Sequence, residues 1–200
     1  MTRDVDTRDE NREIVCIGAS WGGLDALRVL LAGIPASFPM PICIVQHRGD
    51  ENDVELLIEF LSKVTELSVE EPEDKQPLRP GSVYVAPAGY HLMVNSGYTA
   101  LSVEDRVRYS RPSIDVLFES AASSHGRHVT AIVLTGANDD GARGAQAVHR
   151  AGGTVLVQDP DTSERSEMPR ATIATGVADM VLPLEQLADE LVRRSAEART

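Results

Sequence analysis

The stretch IVCIGASWGG at residues 14–23 is the most informative part of the sequence about the fold. Its first four residues, IVCI, are all apolar, which is typical of a strand buried on both faces of a parallel sheet. The amphipathic helical pattern LDALRVLLAGI (24–34) follows, and Pro35 ends it. Ser20 stands between these two elements, among glycines. The stretch therefore predicts a strand, a tight turn and a helix, and it leaves two functions open for the turn: a nucleophilic serine or a loop that binds phosphate.

The same alternation of strand and helix runs along the rest of the chain. The periodicity predicts strands at 14–18, 41–47, 128–136 and 154–158, and helices at 24–34, 54–64, 113–126, 141–153 and 184–197. Three short alternating runs lie between turn residues in the middle of the chain, at 82–87, 91–97 and 99–104. This pattern predicts the α/β class: a doubly wound, mainly parallel sheet flanked by helices in a Rossmann-like three-layer arrangement, with a small antiparallel hairpin insertion near 82–104.

Length and charge limit the class of protein. A chain of 200 residues is long enough for one domain with a real core, and we assign that domain to residues 13–195. We expect the charged N-terminal segment, residues 1–12, to be disordered. With 31 acidic and 19 basic side chains the formal net charge is −12, which repels a nucleic-acid backbone instead of displacing its counterions. We therefore exclude nucleic acid as a partner.

The cysteines and the apolar segments indicate the compartment. Cys16 and Cys43 lie in apolar runs, and neither has a second cysteine at the short spacing that a zinc or redox site needs. We predict buried free thiols and no metal site. No window of the chain approaches the roughly 18 apolar residues of a membrane span, and the N-terminus has no apolar signal region. These features predict a cytoplasmic protein without membrane insertion.

Polar side chains follow three of the predicted strands, where such sheets bind their ligands. Ser20 follows the first strand, His47 the second, and Asp139 and Asp140 the strand at 128–136. A nucleophilic serine needs a base, and the base needs an acid that fixes its tautomer. The helix that begins near Trp21 directs backbone N–H groups and a positive dipole end toward a developing oxyanion. Together these residues predict a serine hydrolase.

Each candidate also has a structural interpretation. A serine at the position of Ser20 most commonly caps the helix that follows, and His47 taken alone is equally a satisfied core histidine. Asp139 or Asp140, just before Gly141, is typical of a turn or a helix N-cap. The placement of all the candidates at neighbouring strand ends favours the catalytic interpretation, because the structural roles give no reason for it.

A nucleotide-binding domain is the other functional alternative. The glycine turn lacks the GxGxxG spacing, and no P-loop lysine follows it. Where a ribose-binding acid is expected at the end of the second strand, the chain has Gln46 and His47. We keep this function as the second alternative to a hydrolase.

A series of blocks in the sequence resembles the catalytic domain of the CheB family, the chemotaxis protein-glutamate methylesterases. The blocks run in family order from about residue 13 to 192: IGASWGG, IVQH, PGSVYVAPAGYHLMV, RPSIDVLFESAA, LTGANDDGARG, AGGTVLVQDP and EMPRATIATG. The resemblance implies a serine hydrolase that cleaves glutamate γ-methyl esters on chemoreceptors, releases methanol, and deamidates certain glutamines. It implies no metal and no organic cofactor.

The resemblance also implies a set of site residues. Its nucleophile falls on Ser20, its histidine on His47, and the aspartate before its loop glycine on Asp140 rather than Asp139. Backbone donors for the oxyanion come from Trp21 and from the loop formed by Gly136, Ala137 and Asn138. Of these, Trp21, Ala137 and Asn138 depart from the residues that the family usually carries.

Substrate and regulation are further expectations. The resemblance implies a methylated chemoreceptor or a similar signalling protein as the substrate. Many family members carry a receiver domain before the esterase, whereas only 12 residues, seven of them charged, precede it here. We therefore expect a separate regulatory protein or constitutive activity. The first alternative is a non-catalytic regulatory or binding module on the same fold, in which the departures from the family pattern have ended catalysis.

Overall fold

A parallel β-sheet of seven strands forms the centre of the computed structural model, which describes residues 13–47 and 54–197. The strands of this sheet are β1 (Ile14–Ala19), β2 (Ile42–Gln46), β3 (Ser68–Glu70), β4 (Ser82–Val85), β7 (Val129–Val133), β8 (Thr154–Gln158) and β9 (Met180–Leu182). The strand order is β3-β4-β2-β1-β7-β8-β9, and every neighbouring pair is parallel. The predicted tail at 1–12 lies outside the described residues.

Helices cover both faces of the sheet, as the α/β class predicted. They are α1 (Gly23–Ala32), α2 (Val54–Ser62), α3 (Ile114–His125), α4 (Ala142–Arg150), α5 (Glu167–Ala174) and α6 (Leu184–Glu197). One buried apolar cluster joins α1, α2 and α6 to one face of the sheet, and a second joins α3, α4 and α5 to the other. Because both faces are covered, the central strands are fully buried, and their sequences are apolar except for Gln46 in β2 and Thr130 in β7. The three-layer architecture is confirmed.

The antiparallel insertion is smaller than the alternating runs suggested. Its two strands, β5 (His91–Asn95) and β6 (Tyr98–Ser102), pair with each other and form a separate sheet. The run at 82–87 is not part of it, because β4 pairs in parallel with β2 and β3 in the main sheet. All four residues of β4 are buried. Short alternation therefore did not distinguish a hairpin strand from a buried parallel one.

The carboxyl ends of β1, β2 and β7 are held side by side beyond the sheet. The backbone N–H of Ser20 donates to the carbonyl of Thr135 at 3.0 Å, and that of His47 donates to the carbonyl of Ala19 at 2.9 Å. The N-terminus of α3 packs against this edge because Gly18 has no side chain: a Cβ there would lie 2.3 Å from Ile114 Cγ2. The chain segments that carry the predicted site residues therefore meet at one place.

Candidate active site

Ser20 lies in the turn between β1 and α1. The residue that caps α1 is Gly22, which has φ of 76° and contributes no side-chain hydrogen bond. Such a left-handed conformation favours glycine. The Ser20 carbonyl accepts hydrogen bonds from the Gly23 N–H at 2.9 Å and from Gln46 Nε2 at 2.8 Å. Ser20 is therefore not the helix cap, and the structural interpretation of this serine is wrong.

His47 and Asp140 are joined by a hydrogen bond. His47 Nε2 lies 2.8 Å from Asp140 Oδ2, and the exposed fractions of the two side chains are 12% and 0%. An ionised carboxylate can only accept, so Nε2 carries the hydrogen and donates. In the neutral ring this leaves the lone pair on Nδ1, the nitrogen turned away from the acid. The pair therefore has the tautomer that a general base needs.

The carboxylate of Asp140 accepts four hydrogen bonds. Oδ2 accepts from His47 and from the backbone N–H of Ile114 at 2.8 Å, while Oδ1 accepts from the N–H of Asp115 at 2.9 Å and the hydroxyl of Ser113 at 3.0 Å. Burial by itself raises the pKa of Asp140, but the hydrogen bonds from His47 and the two backbone N–H groups outweigh it and hold the pKa below its usual value. The acid is therefore ionised at neutral pH.

A second buried carboxylate, Asp115, lies beside Asp140. Its Oδ1 accepts from the N–H groups of Gly141 at 2.9 Å and Gly144 at 2.7 Å, at the N-terminus of α4. Asp140, two residues before the start of α4, caps α3, and Asp115 in α3 caps α4. Burial and the nearby charge of Asp140 raise the pKa of Asp115, which the α4 donors and Arg143 offset only in part. We call this arrangement the reciprocal cap.

Asp139 has a different environment. Its side chain is 56% exposed and pairs with the guanidinium of Arg108 at the surface. Arg108 Nε also lies 3.3 Å from Asp115 Oδ2. Of the two adjacent aspartates that the sequence left open, the structure thus brings only Asp140 to His47.

Ser20 and His47 line the same cavity, which has a volume of about 510 Å³. Apolar side chains from α1 and α2 form much of its wall. The lining residues are Ser20, Gly22, Gly23, Leu24, Asp25, Gln46, His47, Leu56, Leu57 and Phe60. No hydrogen bond between the Ser20 hydroxyl and the His47 ring is present in the described residues. Ser20 and His47 thus share a cavity, and their direct contact stays a prediction.

The loop after β7 supplies the remaining predicted residues. The N–H of Gly136 donates to the carbonyl of Arg165 at 2.9 Å, so this group is already engaged. Within 13–47 and 54–197, the backbone N–H groups of Trp21 and Ala137 have no hydrogen-bond acceptor. Asn138 Nδ2 lies 3.5 Å from His47 Nδ1. The N–H groups of Trp21 and Ala137 are therefore available to an oxyanion, whereas that of Gly136 is not.

Sequence reasoning missed several residues that hold the site together. Gln46 Nε2 donates to the carbonyls of both Ser20 and His47, at 2.8 and 2.9 Å. The hydroxyl oxygen of Thr135 lies 2.9 Å from the carbonyl oxygen of Trp21 and 3.1 Å from that of Arg165, so its one hydrogen has an acceptor on either side. Gln46 was visible in the sequence only as a residue that does not suit a ribose. Its amide holds the ends of the first two strands together, which is a structural role at the site.

Two negative observations apply to the described part of the chain. No cluster of three or more His, Cys, Asp or Glu side chains in it is arranged to hold a metal ion. No helix between residues 13–47 or 54–197 has both the length and the apolar character needed to cross a membrane. Cys16 and Cys43 are buried free thiols, as predicted. They are also neighbours in the register of β1 and β2, which the sequence did not predict.

Comparison with known proteins finds close relatives. The sequence profile described as CheB methylesterase matches residues 15–191. A protein of Leptospira interrogans, provisionally named protein-glutamate methylesterase/protein-glutamine glutaminase, is 42% identical over 184 residues, which cover 92% of this chain and 95% of that one. A protein-glutamate methylesterase/protein-glutamine glutaminase 2 of Anaeromyxobacter dehalogenans is 42% identical over 175 residues, and this chain spans about half (51%) of its length.

A solved structure has the same fold. The crystal structure of the Thermotoga maritima CheB methylesterase catalytic domain superposes with a TM-score of 0.87 at 35% identity. The match covers 91% of this chain and 98% of that one. The likeness therefore extends over the parallel sheet and its flanking helices as a whole.

Proposed function

The chain belongs to the CheB methylesterase family, and from this we propose that it is a protein-glutamate methylesterase. The enzyme hydrolyses glutamate γ-methyl esters through a triad of Ser20, His47 and Asp140, carried by a catalytic domain at residues 13–195. The observation that carries the proposal is the hydrogen bond from His47 Nε2 to the buried, ionised Asp140. His47 lines the same cavity as Ser20.

The first half-reaction acylates the serine. His47 Nδ1 takes the Ser20 proton as the serine oxygen attacks the ester carbonyl, and Asp140 stabilises the imidazolium that forms. The N–H groups of Trp21 and Ala137 donate to the oxyanion of the tetrahedral intermediate. The bond to the methoxy group then breaks, and His47 returns the proton to it, so that methanol leaves. A glutamyl ester on Ser20 remains.

The second half-reaction releases the glutamate. His47 Nδ1 removes a proton from water, whose oxygen attacks the acyl-enzyme carbonyl. Collapse of the second intermediate breaks the bond to Ser20, which recovers its proton from His47. A glutamine side chain follows the same course when its amide nitrogen leaves as ammonia, and the deamidation activity in the names of the relatives supports this second reaction. No step needs a metal or an organic cofactor.

The substrate that we propose is a methylated chemoreceptor or a similar signalling protein. The family and the names of the relatives support a glutamyl ester on a protein. A cytoplasmic location suits the two buried free thiols, Cys16 and Cys43.

Methanol release tests the proposed function. The purified chain releases methanol from a protein fragment that carries glutamate γ-methyl esters, and Ser20→Ala lowers the rate by several orders of magnitude. A fluorophosphonate probe labels the wild-type protein at Ser20. Methanol release that persists unchanged in Ser20→Ala would sink the mechanism, and absence of both release and labelling would favour the non-catalytic module instead.

A further inference from the structure

Trp21 is an exposed aromatic residue beside the nucleophile. It is the only tryptophan of the chain, and 59% of its surface is open to solvent. It stands between Ser20 and Gly22, which both line the cavity. Tryptophan buries most of its surface in an ordinary core, so a largely open indole at this position needs a reason.

The exposed indole is nevertheless held in place. Its Nε1 donates to Glu164 Oε1 at 2.8 Å, and the guanidinium of Arg165 lies over the ring, 5.5 Å from its centroid. The backbone of Trp21 is anchored as well, because Thr135 Oγ1 donates to its carbonyl at 2.9 Å and accepts from the N–H of Arg165 at 2.9 Å. Holding an exposed side chain costs conformational entropy. A rigid aromatic surface lowers the cost of binding a ligand there.

The part of the indole that stays open is apolar. Glu164 satisfies its only polar group, and Arg165 covers one face, so the remaining ring surface offers no hydrogen bond. Leu24 and Leu56, which line the cavity, are also exposed, at 43% and 65%. A polar group placed against such a surface loses water without gaining a partner, whereas an apolar side chain gains by burial.

We propose that Trp21 is a specificity-determining residue that contacts the substrate side chain next to the ester and selects an apolar one. Glu164 and Arg165 are positioning residues that hold the indole. This inference rests on the proposed function, since it assumes that the ester enters the cavity at Ser20. The preferred substrate is a protein segment that presents an apolar side chain on the same face as its glutamyl methyl ester.

The test uses two peptides that differ at one residue. Each carries one glutamate γ-methyl ester, with leucine beside it in one peptide and serine in the other. Methanol release by the wild-type protein has a kcat/KM about tenfold higher for the leucine peptide, the effect of a modest apolar group in a pocket. Trp21→Ser removes this ratio through KM, and Trp21→Phe retains most of it. Glu164→Gln and Arg165→Gln reduce the ratio.

Matched variants on α5 serve as controls. Glu167→Gln and Arg170→Gln make the same chemical changes at exposed positions on that helix, and both leave the ratio unchanged. A loss of folding alone would not alter the ratio between two peptides.

Fluorescence provides a second readout, since Trp21 is the only tryptophan of the chain and can be excited at wavelengths that tyrosine does not absorb. In Ser20→Ala, where the ester is not turned over, the leucine peptide shifts the emission to shorter wavelength and the serine peptide does not at equal concentration. Equal kcat/KM for the two peptides with wild-type protein would overturn the role of Trp21. Absence of methanol from both peptides would instead overturn the proposed function.

Discussion

Asp140→Asn removes one acceptor oxygen from the most heavily used carboxylate of the site. Asp140 Oδ1 and Oδ2 each accept two hydrogen bonds, and an asparagine has one oxygen and one NH₂ group in their place. If the NH₂ takes the position of Oδ1, it faces the N–H of Asp115. If it takes the position of Oδ2, it faces the N–H of Ile114 and His47 Nε2. In both orientations a buried backbone N–H loses its acceptor.

Only one of the two orientations of the asparagine removes the general base. An NH₂ group at the Oδ2 position requires His47 to accept at Nε2, which places the hydrogen on Nδ1 and removes the base. The expected loss in kcat is about 10⁴-fold when the wrong tautomer forms. The stability cost is about 1–3 kcal/mol for the unsatisfied N–H, which lowers Tm by roughly 2–12 °C in a chain of this size.

Asp139→Asn is the matched control, one residue away. Its side chain is 56% exposed and pairs with Arg108 at the surface, and such pairs contribute about 0–1 kcal/mol. Methanol release and thermal unfolding are measured on both variants. We expect Asp139→Asn to stay within a few-fold of wild type in kcat. Wild-type kcat in Asp140→Asn, or an equal loss in both variants, would refute the assignment of the acid.

Three further predictions concern pH, packing and thiol chemistry. The pKa of Asp140 is lowered in the folded protein, so its contribution to stability is complete above the carboxyl pKa of the unfolded chain and is lost as the pH falls through the folded pKa. We therefore expect the difference in unfolding free energy between wild type and Asp140→Asn to become smaller in acid. A difference that stays constant with pH in urea titrations would contradict this. Gly136→Ala places a Cβ 2.0 Å from Met168 Sδ and 2.9 Å from the Cβ of Ser20. We expect this crowding to lower the unfolding free energy by about 1–3 kcal/mol and to displace Ser20, so that a fluorophosphonate labels the variant more slowly. Burial raises the pKa of Cys43 to about 12, so iodoacetamide modifies it only after unfolding, and modification of the native protein at pH 8 would contradict the burial.

The sequence predicted the elements whose pattern is local. The strand at 154–158 and the helix at 184–197 have the predicted bounds, because apolar periodicity over a full element fixes its type. Strands β3 and β9, of three residues each, are too short to show a period. Likewise β4 has the alternation of a hairpin strand, and only its neighbours in the sheet decide its direction.

The candidate site divides along the same line. Ser20, His47 and the pair Asp139 and Asp140 are recognisable because each follows a strand, and strand ends in a parallel sheet meet. The pattern did not choose between the two aspartates; the family resemblance placed the acid on Asp140. The roles of Asp115 and Gln46 depend instead on how closely α3, α4 and β2 approach one another. Asp115 in α3 accepts from the N–H of Gly141, 26 residues further along the chain, and so caps α4. No spacing in the sequence predicts a contact of this kind. Such contacts require the folded chain.

The reciprocal cap bears on how a protein of this fold can lose its activity during evolution. Asp140 accepts hydrogen bonds from the N-terminus of α3 as well as from His47. Replacing it therefore lowers the stability of the fold together with the rate of the reaction. Ser20 carries no comparable structural duty through its side chain, since Gly22 caps α1. A lineage that abandons hydrolysis and keeps the scaffold is therefore expected to change the serine first and retain the aspartate. In such a descendant, the presence of Asp140 would show that the fold still needs it and would not be evidence of enzymatic activity.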